Sequence, residues 1–148
     1  MFETLNMPRT DHWVNERQVA YVQTYMMLTA FSFENLIKGA HTALTPLLAI
    51  EQRIRKWNKY KSGHGLSGLS RLIDPHVVPD AEEAGFLSRL QEYSLWAGRY
   101  PIPKDSNQLF SSEHPEPRLQ VRTTDPQLSK SLFAKYQEVL KSNETESW

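Results

Sequence analysis

Residues 21–44, YVQTYMMLTAFSFENLIKGAHTAL, hold the densest run of apolar side chains in the chain and few charges. On a helix at about 100° per residue, Val19, Val22, Met26, Phe33, Leu36, Ile37, Ala40 and Leu44 share one arc. Tyr21, Tyr25 and Leu28 extend it. The arc spans roughly 200°, against roughly 100° for the stripe of an ordinary surface helix. So much apolar surface needs more than one neighbour, and the other segments are expected to pack around this helix. Gln23, Glu34, Asn35, Lys38, His41 and Thr42 occupy the opposite sector. Met27 and Phe31 point into that sector as well, which predicts either a partner surface there or cover from another part of the chain.

The remaining chain supplies the neighbours. Met1 to Arg9 reads as a loosely held lead-in, after which Thr10 or Asp11 can cap a helix through Trp13, Val14 and Gln18 into the central stretch. Thr45-Pro46 breaks it, because the residue before proline avoids helical geometry while proline suits a new first turn. A second helix is thus predicted from Pro46 to about Tyr60, with Leu47, Leu48, Ile50, Ile54 and Trp57 apolar. Its other face, Arg53, Arg55, Lys56, Lys59 and Lys61, is the most basic patch in the sequence.

Ser62-Gly63-His64-Gly65 reads as a turn, and Leu66, Leu69, Leu72 and Ile73 as a short helix closed by Asp74-Pro75. Asp80 and Glu83 have the spacing of a capping box, opening a helix through Phe86, Leu87, Leu90, Tyr93 and Trp96 that Gly98 ends. Prolines force residues 99–103 to be extended. Residues 104–124 are polar and irregular, with LQV as the one short strand signal. Asp125-Pro126 starts a last helix, to about residue 142, carrying Leu128, Leu132, Phe133, Tyr136, Val139 and Leu140. With 148 residues and 39% apolar content the chain has material for one core. The expected architecture is all-α, a single four- to five-helix up-and-down bundle with a long central helix.

Charge and composition narrow the function. Lys plus Arg equals Asp plus Glu at 17 each, so no global basic field exists, although a local patch does. Cysteine is absent, which removes disulfides and thiolate metal sites and disfavours a small secreted scaffold. No stretch approaches about 18 uninterrupted apolar residues, and the N-terminus lacks the basic-then-apolar pattern of a signal peptide. A soluble cytoplasmic protein with no membrane partner is expected. The five histidines are scattered, with no HExxH or paired-His spacing, so no metal and no cofactor is implied. GxSxG, GxxxxGK[ST] and GxGxxG are all missing.

Three polar groups remain. Glu34 and Lys38 stand i,i+4 with His41 at i+7, a row suited to acid/base or phosphate-contacting work, or simply a helix ion pair beside a solvated histidine. His64, between two glycines, reads either as a general base or as an imidazole capping the next helix. Arg71 and His76 form the one Arg-x4-His, with Pro75 between them ending the helix.

The run AFSFENLIKGAHTAL, then GHGLSGLSRLI, EEAGFLSRLQEY and AGRYPIP, resembles the HEPN superfamily of small helical bundles. These occur with nucleotidyltransferases, in toxin–antitoxin pairs and in phage-defence proteins. The resemblance covers about residues 21–103 and aligns Glu34 and Lys38, His64 and Leu66, and Arg99, Tyr100 and Pro101 with the family's pattern. It implies a homodimer and a polar site lined by Glu34, Lys38, His64, Arg99 and Tyr100. The ligand it implies is RNA or a nucleotide, and the partner a nucleotidyltransferase or an antitoxin-like protein. Ribonuclease members carry Arg-x(4–6)-His, in which arginine stabilises the phosphorane charge and histidine moves the proton without metal. No histidine lies within seven positions after Arg99, so the chain looks like the Arg-Tyr-Pro form, a non-catalytic binding or assembly module. The alternatives are a metal-independent endoribonuclease using Arg71 and His76, or Arg99 with His64, and a small adaptor contacting protein through Met27, Phe31 and the loop around Pro115.

Overall fold

The computed structural model describes residues 12–97 and 121–145, with side chains described for 21–95 and 121–143. The N-terminal lead-in and its capping residues, the segment with Arg99 and Tyr100, and the polar stretch through residue 120 lie outside the described residues. So do the side chains of Trp13, Val14, Gln18 and Trp96. The helices are α1 (His12–Leu44), α2 (Ile50–Asn58), α3 (Leu66–Ser70), α4 (Ala81–Glu92) and α5 (Asp125–Thr145). Short 3-10 turns at Lys61–Gly63 and Arg71–Ile73 flank α3, and α4 widens into a π turn over Tyr93–Ala97. No strand occurs among the described residues, and the architecture is an all-α helical bundle. No helix among them is long and apolar enough to cross a membrane.

As its wide apolar arc requires, α1 is the central element, with α3, α4 and α5 packed on it. Met26, Ala30, Phe33, Ile37 and Ala40 recur at alternating steps of four and three, and each is buried to within 1%. Phe33 is the hub. Its ring meets those of Phe86 at 6.0 Å, Tyr136 at 6.2 Å and Phe133 at 6.3 Å, all edge-to-face. Such pairs contribute about 0.5–1.5 kcal/mol each beyond the area they bury. One ring thereby joins α1, α4 and α5.

Polar ties close the bundle. The Asp80–Glu83 capping box forms as predicted, Glu83 N–H donating to Asp80 at 2.9 Å and Asp80 N–H to Glu83 at 3.0 Å. Glu83 is also buried against α5, accepting from Lys135 Nζ at 2.7 Å and Ser131 Oγ at 3.2 Å. At the other end Asp125, 1% exposed, pairs with Arg89 of α4 and accepts from the Arg122 N–H at 2.9 Å. Desolvation of the Tyr93 phenol, with the Asp125 charge nearby, pushes its pKa up to about 12.

Several expectations are corrected. The second helix begins at Ile50, not Pro46, because the Thr45 hydroxyl donates back to the His41 carbonyl at 2.6 Å and does not cap forward. Most of its apolar side chains do not join the core: Leu47 is fully exposed and Ile50 and Ile54 are 51% and 44% exposed, while Trp57, partly buried, packs against it. On α1, Tyr21 and Leu28 face solvent, whereas Glu34 and His41 of the supposed polar sector are buried. Met27 and Phe31 are half-buried. The last helix runs on to Thr145, and Val121, the described end of LQV, is irregular.

Gly68 shows how tightly the α2–α3 connection is packed. A Cβ there would lie 2.1 Å from Tyr60 Cδ1 and 2.7 Å from Cγ, so the ring would have to leave its place. Gly68→Ala is expected to lower stability by about 1–3 kcal/mol in urea unfolding, the usual cost of overpacking. Gly39→Ala, where a Cβ meets nothing within 4 Å inside α1, is expected to raise it by about 0.5–1 kcal/mol.

Candidate functional site

Glu34 is the centre of the site. Its side chain, on the α3-facing side of α1, is 7% exposed, and both carboxylate oxygens are engaged. Lys38 Nζ, one turn along α1, donates to Oε1 at 2.6 Å. His64 Nδ1 lies 2.9 Å from Oε2 and carries the proton of that bond, since a carboxylate can only accept. Nε2 has no hydrogen-bond partner among the described residues, on a side chain that is 44% exposed. An ion pair, a carboxylate and an accessible imidazole come together across thirty residues of sequence.

The turn that delivers His64 is unusual in its backbone. Lys61, Ser62 and Gly63 have φ of 46°, 55° and 88° in succession, the left-handed region that costs a non-glycine residue about 1–2 kcal/mol. The Tyr60 carbonyl holds the turn by accepting from the N–H groups of Gly63 at 2.9 Å and Gly65 at 3.0 Å. Gly63 sits where a Cβ would come 3.5 Å from Lys38 Nζ and 3.3 Å from Asn58 Oδ1, so the backbone passes directly over the lysine. His64 does not cap α3; Gly65 holds the cap position without a side-chain bond.

A second histidine, His41, stands on the same helix as Glu34 and Lys38. His41 is 2% exposed, and its Nδ1 accepts from Trp57 Nε1 of α2 at 3.2 Å, which fixes the neutral tautomer with the proton on Nε2. The Trp57 ring also lies 5.4 Å from Lys38 Nζ, a cation–π contact. His41 is therefore not the solvated end of a polar row but the buried dock of α2. The sequence offered no sign of the Trp57 contact, because the two residues are sixteen apart and on different helices.

The other predicted residues stand elsewhere. Arg71 opens the 3-10 turn after α3, is exposed, and lines a groove with Ser67, Ser70 and Asp74. His76 is exposed beyond the Asp74-Pro75 step and is not among the residues lining that groove. Arg99 and Tyr100 lie outside the described residues. Among those described, no group of three or more His, Asp and Glu could hold a metal ion. No family model, no curated protein and no solved structure matches this chain.

Burial, followed by the charges of Lys56 and Arg53, holds the His41 imidazole below its ordinary 6.5. The unfolded chain then takes up its proton at a higher pH than the folded one. The stability this group contributes is whole above 6.5 and is lost as pH falls toward the depressed folded value. Melting temperature is expected to decline between 6.5 and the carboxylate range near ~4. His41→Gln keeps an acceptor for Trp57 but cannot titrate, so this part of the decline is expected to vanish in that variant. Parallel profiles for the two proteins would show that His41 is not held neutral.

Proposed function

We propose that the chain is a non-catalytic HEPN-like binding module whose ligand is a nucleotide or an RNA segment. The carrying observation is the convergence of Lys38 and His64 on the buried Glu34, with His64 half-exposed. Lys38 supplies a charged donor for a phosphate, His64 adds a second donor from Nε2 in its imidazolium form, and Glu34 fixes both in place. Arg99 and Tyr100, which the family pattern puts at the same site, would add a bidentate guanidinium and a stacking ring. The module would act as a homodimer, in the manner of the family it resembles.

One observation favours a second reading, a metal-independent endoribonuclease. A carboxylate on Nδ1 of a half-exposed histidine is the arrangement that orients the ring as a proton carrier. The binding reading is preferred because the second imidazole of this region, His41, which shares α1 with Glu34, is buried and its Nδ1 is engaged with Trp57. No Arg-x(4–6)-His follows in the Arg99 segment either.

Calorimetric titration with adenosine monophosphate, beside labelled RNA incubated in EDTA, separates the two. Lys38→Met, His64→Gln and Arg99→Ala are each expected to weaken nucleotide binding by about 10–100-fold, the worth of a charge-assisted hydrogen bond of about 1.5–3 kcal/mol. Glutamine at 64 keeps a donor for Glu34, so a loss there reports on the ligand and not on the fold. The RNA is expected to stay intact. Cleavage abolished by His64→Gln would establish the nuclease and overturn the binding module.

A further inference from the structure

We propose that the outer face of α2 and the turn after it form a track for the phosphodiester backbone of single-stranded RNA, ending at His64. The track consists of Arg55, Lys59 and Lys61, with Lys56 beside them. It rests on reading the Glu34–Lys38–His64 site as nucleotide-binding, and it extends that site from one phosphate to several.

The chain as a whole is neutral, but residues 50–63 hold five cations against the single carboxylate of Glu51. Arg55, Lys56, Lys59 and Lys61 are all exposed, and none takes part in an ion pair among the described residues. Glu34, Glu83 and Asp125, by contrast, are buried and already paired, so they do little to cancel this field. Arg53 is not part of the track. Its guanidinium turns inward to the Thr45 carbonyl, with Nε buried.

Arg55 and Lys59 lie one turn apart on one face, about 6 Å along the axis, comparable to the step between phosphates of an extended strand. The line continues through Lys61 into the left-handed turn, which brings Gly63 over Lys38 and His64 onto Glu34. The cationic segment thus leads directly, along the chain, into the site. Ile50 and Ile54 lie about 100° or more round the helix from the Arg55–Lys59 line. The cations are therefore not interleaved with the apolar anchors that centre a protein interface, which favours a polyphosphate over an acidic polypeptide.

The test compares adenosine monophosphate with oligoadenylates of increasing length, on the wild-type protein and the triple variant Arg55→Gln/Lys59→Gln/Lys61→Gln, by fluorescence anisotropy at several salt concentrations. These side chains are exposed, and circular dichroism checks that the variant is folded. Affinity is expected to rise with length in the wild type. The variant is expected to bind the mononucleotide as the wild type does, and the oligonucleotide about tenfold or more weaker. Its slope of log affinity on log salt should fall by about 2, at roughly 0.7 for each phosphate that the variant no longer neutralises. Length-independent affinity, an unchanged slope, or polyglutamate competing as well as RNA would each overturn the track. Oligonucleotide binding that depends on α2 while the mononucleotide fails to bind would uphold the track and sink the site reading instead.

Discussion

A carboxylate that keeps only 7% of its surface in water has to be answered by a charge or a hydrogen-bond donor, and Glu34 is answered twice. Leaving it alone would cost several kcal/mol. Lys38 is a local answer, one turn along the same helix, and any helix can provide it. His64 is not local, and for it to reach Oε2 the chain must leave α1, run out along α2 and come back. The three successive positive φ values at Lys61–Gly63 are the backbone consequence of that return. The strain is carried by surroundings that over-determine the turn: two N–H groups on the Tyr60 carbonyl, and the Tyr60 ring laid against Gly68 with no room for a methyl group.

The same economy appears at the α4–α5 seam. Glu83 completes a capping box, a local device, and then reaches across to Lys135 and Ser131. Asp125 accepts from the Arg122 N–H ahead of α5 and also draws Arg89 in from α4. In each case a residue chosen by helix-end chemistry also fixes the lateral position of a neighbour. The Phe33 cluster supplies the apolar counterpart, so α1, α4 and α5 are registered both by rings and by charges.

What the sequence made legible follows from the range of each interaction. The α1 core stripe, the break at Thr45-Pro46 and the Asp80–Glu83 box depend on neighbours within about one turn, and periodicity and spacing report those directly. Glu34 with Lys38 was legible for the same reason. His64 could be singled out by its flanking glycines, but its bond to Glu34 spans thirty residues and no local rule encodes it. The Trp57–His41 bond was hidden in the same way, and it explains why a histidine placed in a polar sector is buried. Where the pattern misled most was α2. Its apolar spacing is as regular as that of a core helix, yet amphipathicity states only that one face is apolar and leaves open what covers it.

That helix is also the element with the weakest hold on the bundle. With no fully buried side chain, α2 is fastened by the partly buried Trp57 against the core and by three polar ties: the Arg53 bond to Thr45, the Trp57 bond to His41 and the Lys38 contact on the Trp57 ring, about 1 kcal/mol apiece. Elements fastened this lightly sit at the low end of local stability. The like charges at Arg55 and Lys59, i,i+4, oppose the helix that carries them by a few tenths of a kcal/mol. Two of the three ties run through Trp57, which meets both His41 and the Lys38 of the Glu34 site. The state of α2 and the geometry of Lys38 are therefore linked energetically, since whatever neutralises the α2 cations from outside also favours the docked helix, and the docked helix is what holds Trp57 against Lys38 and His41.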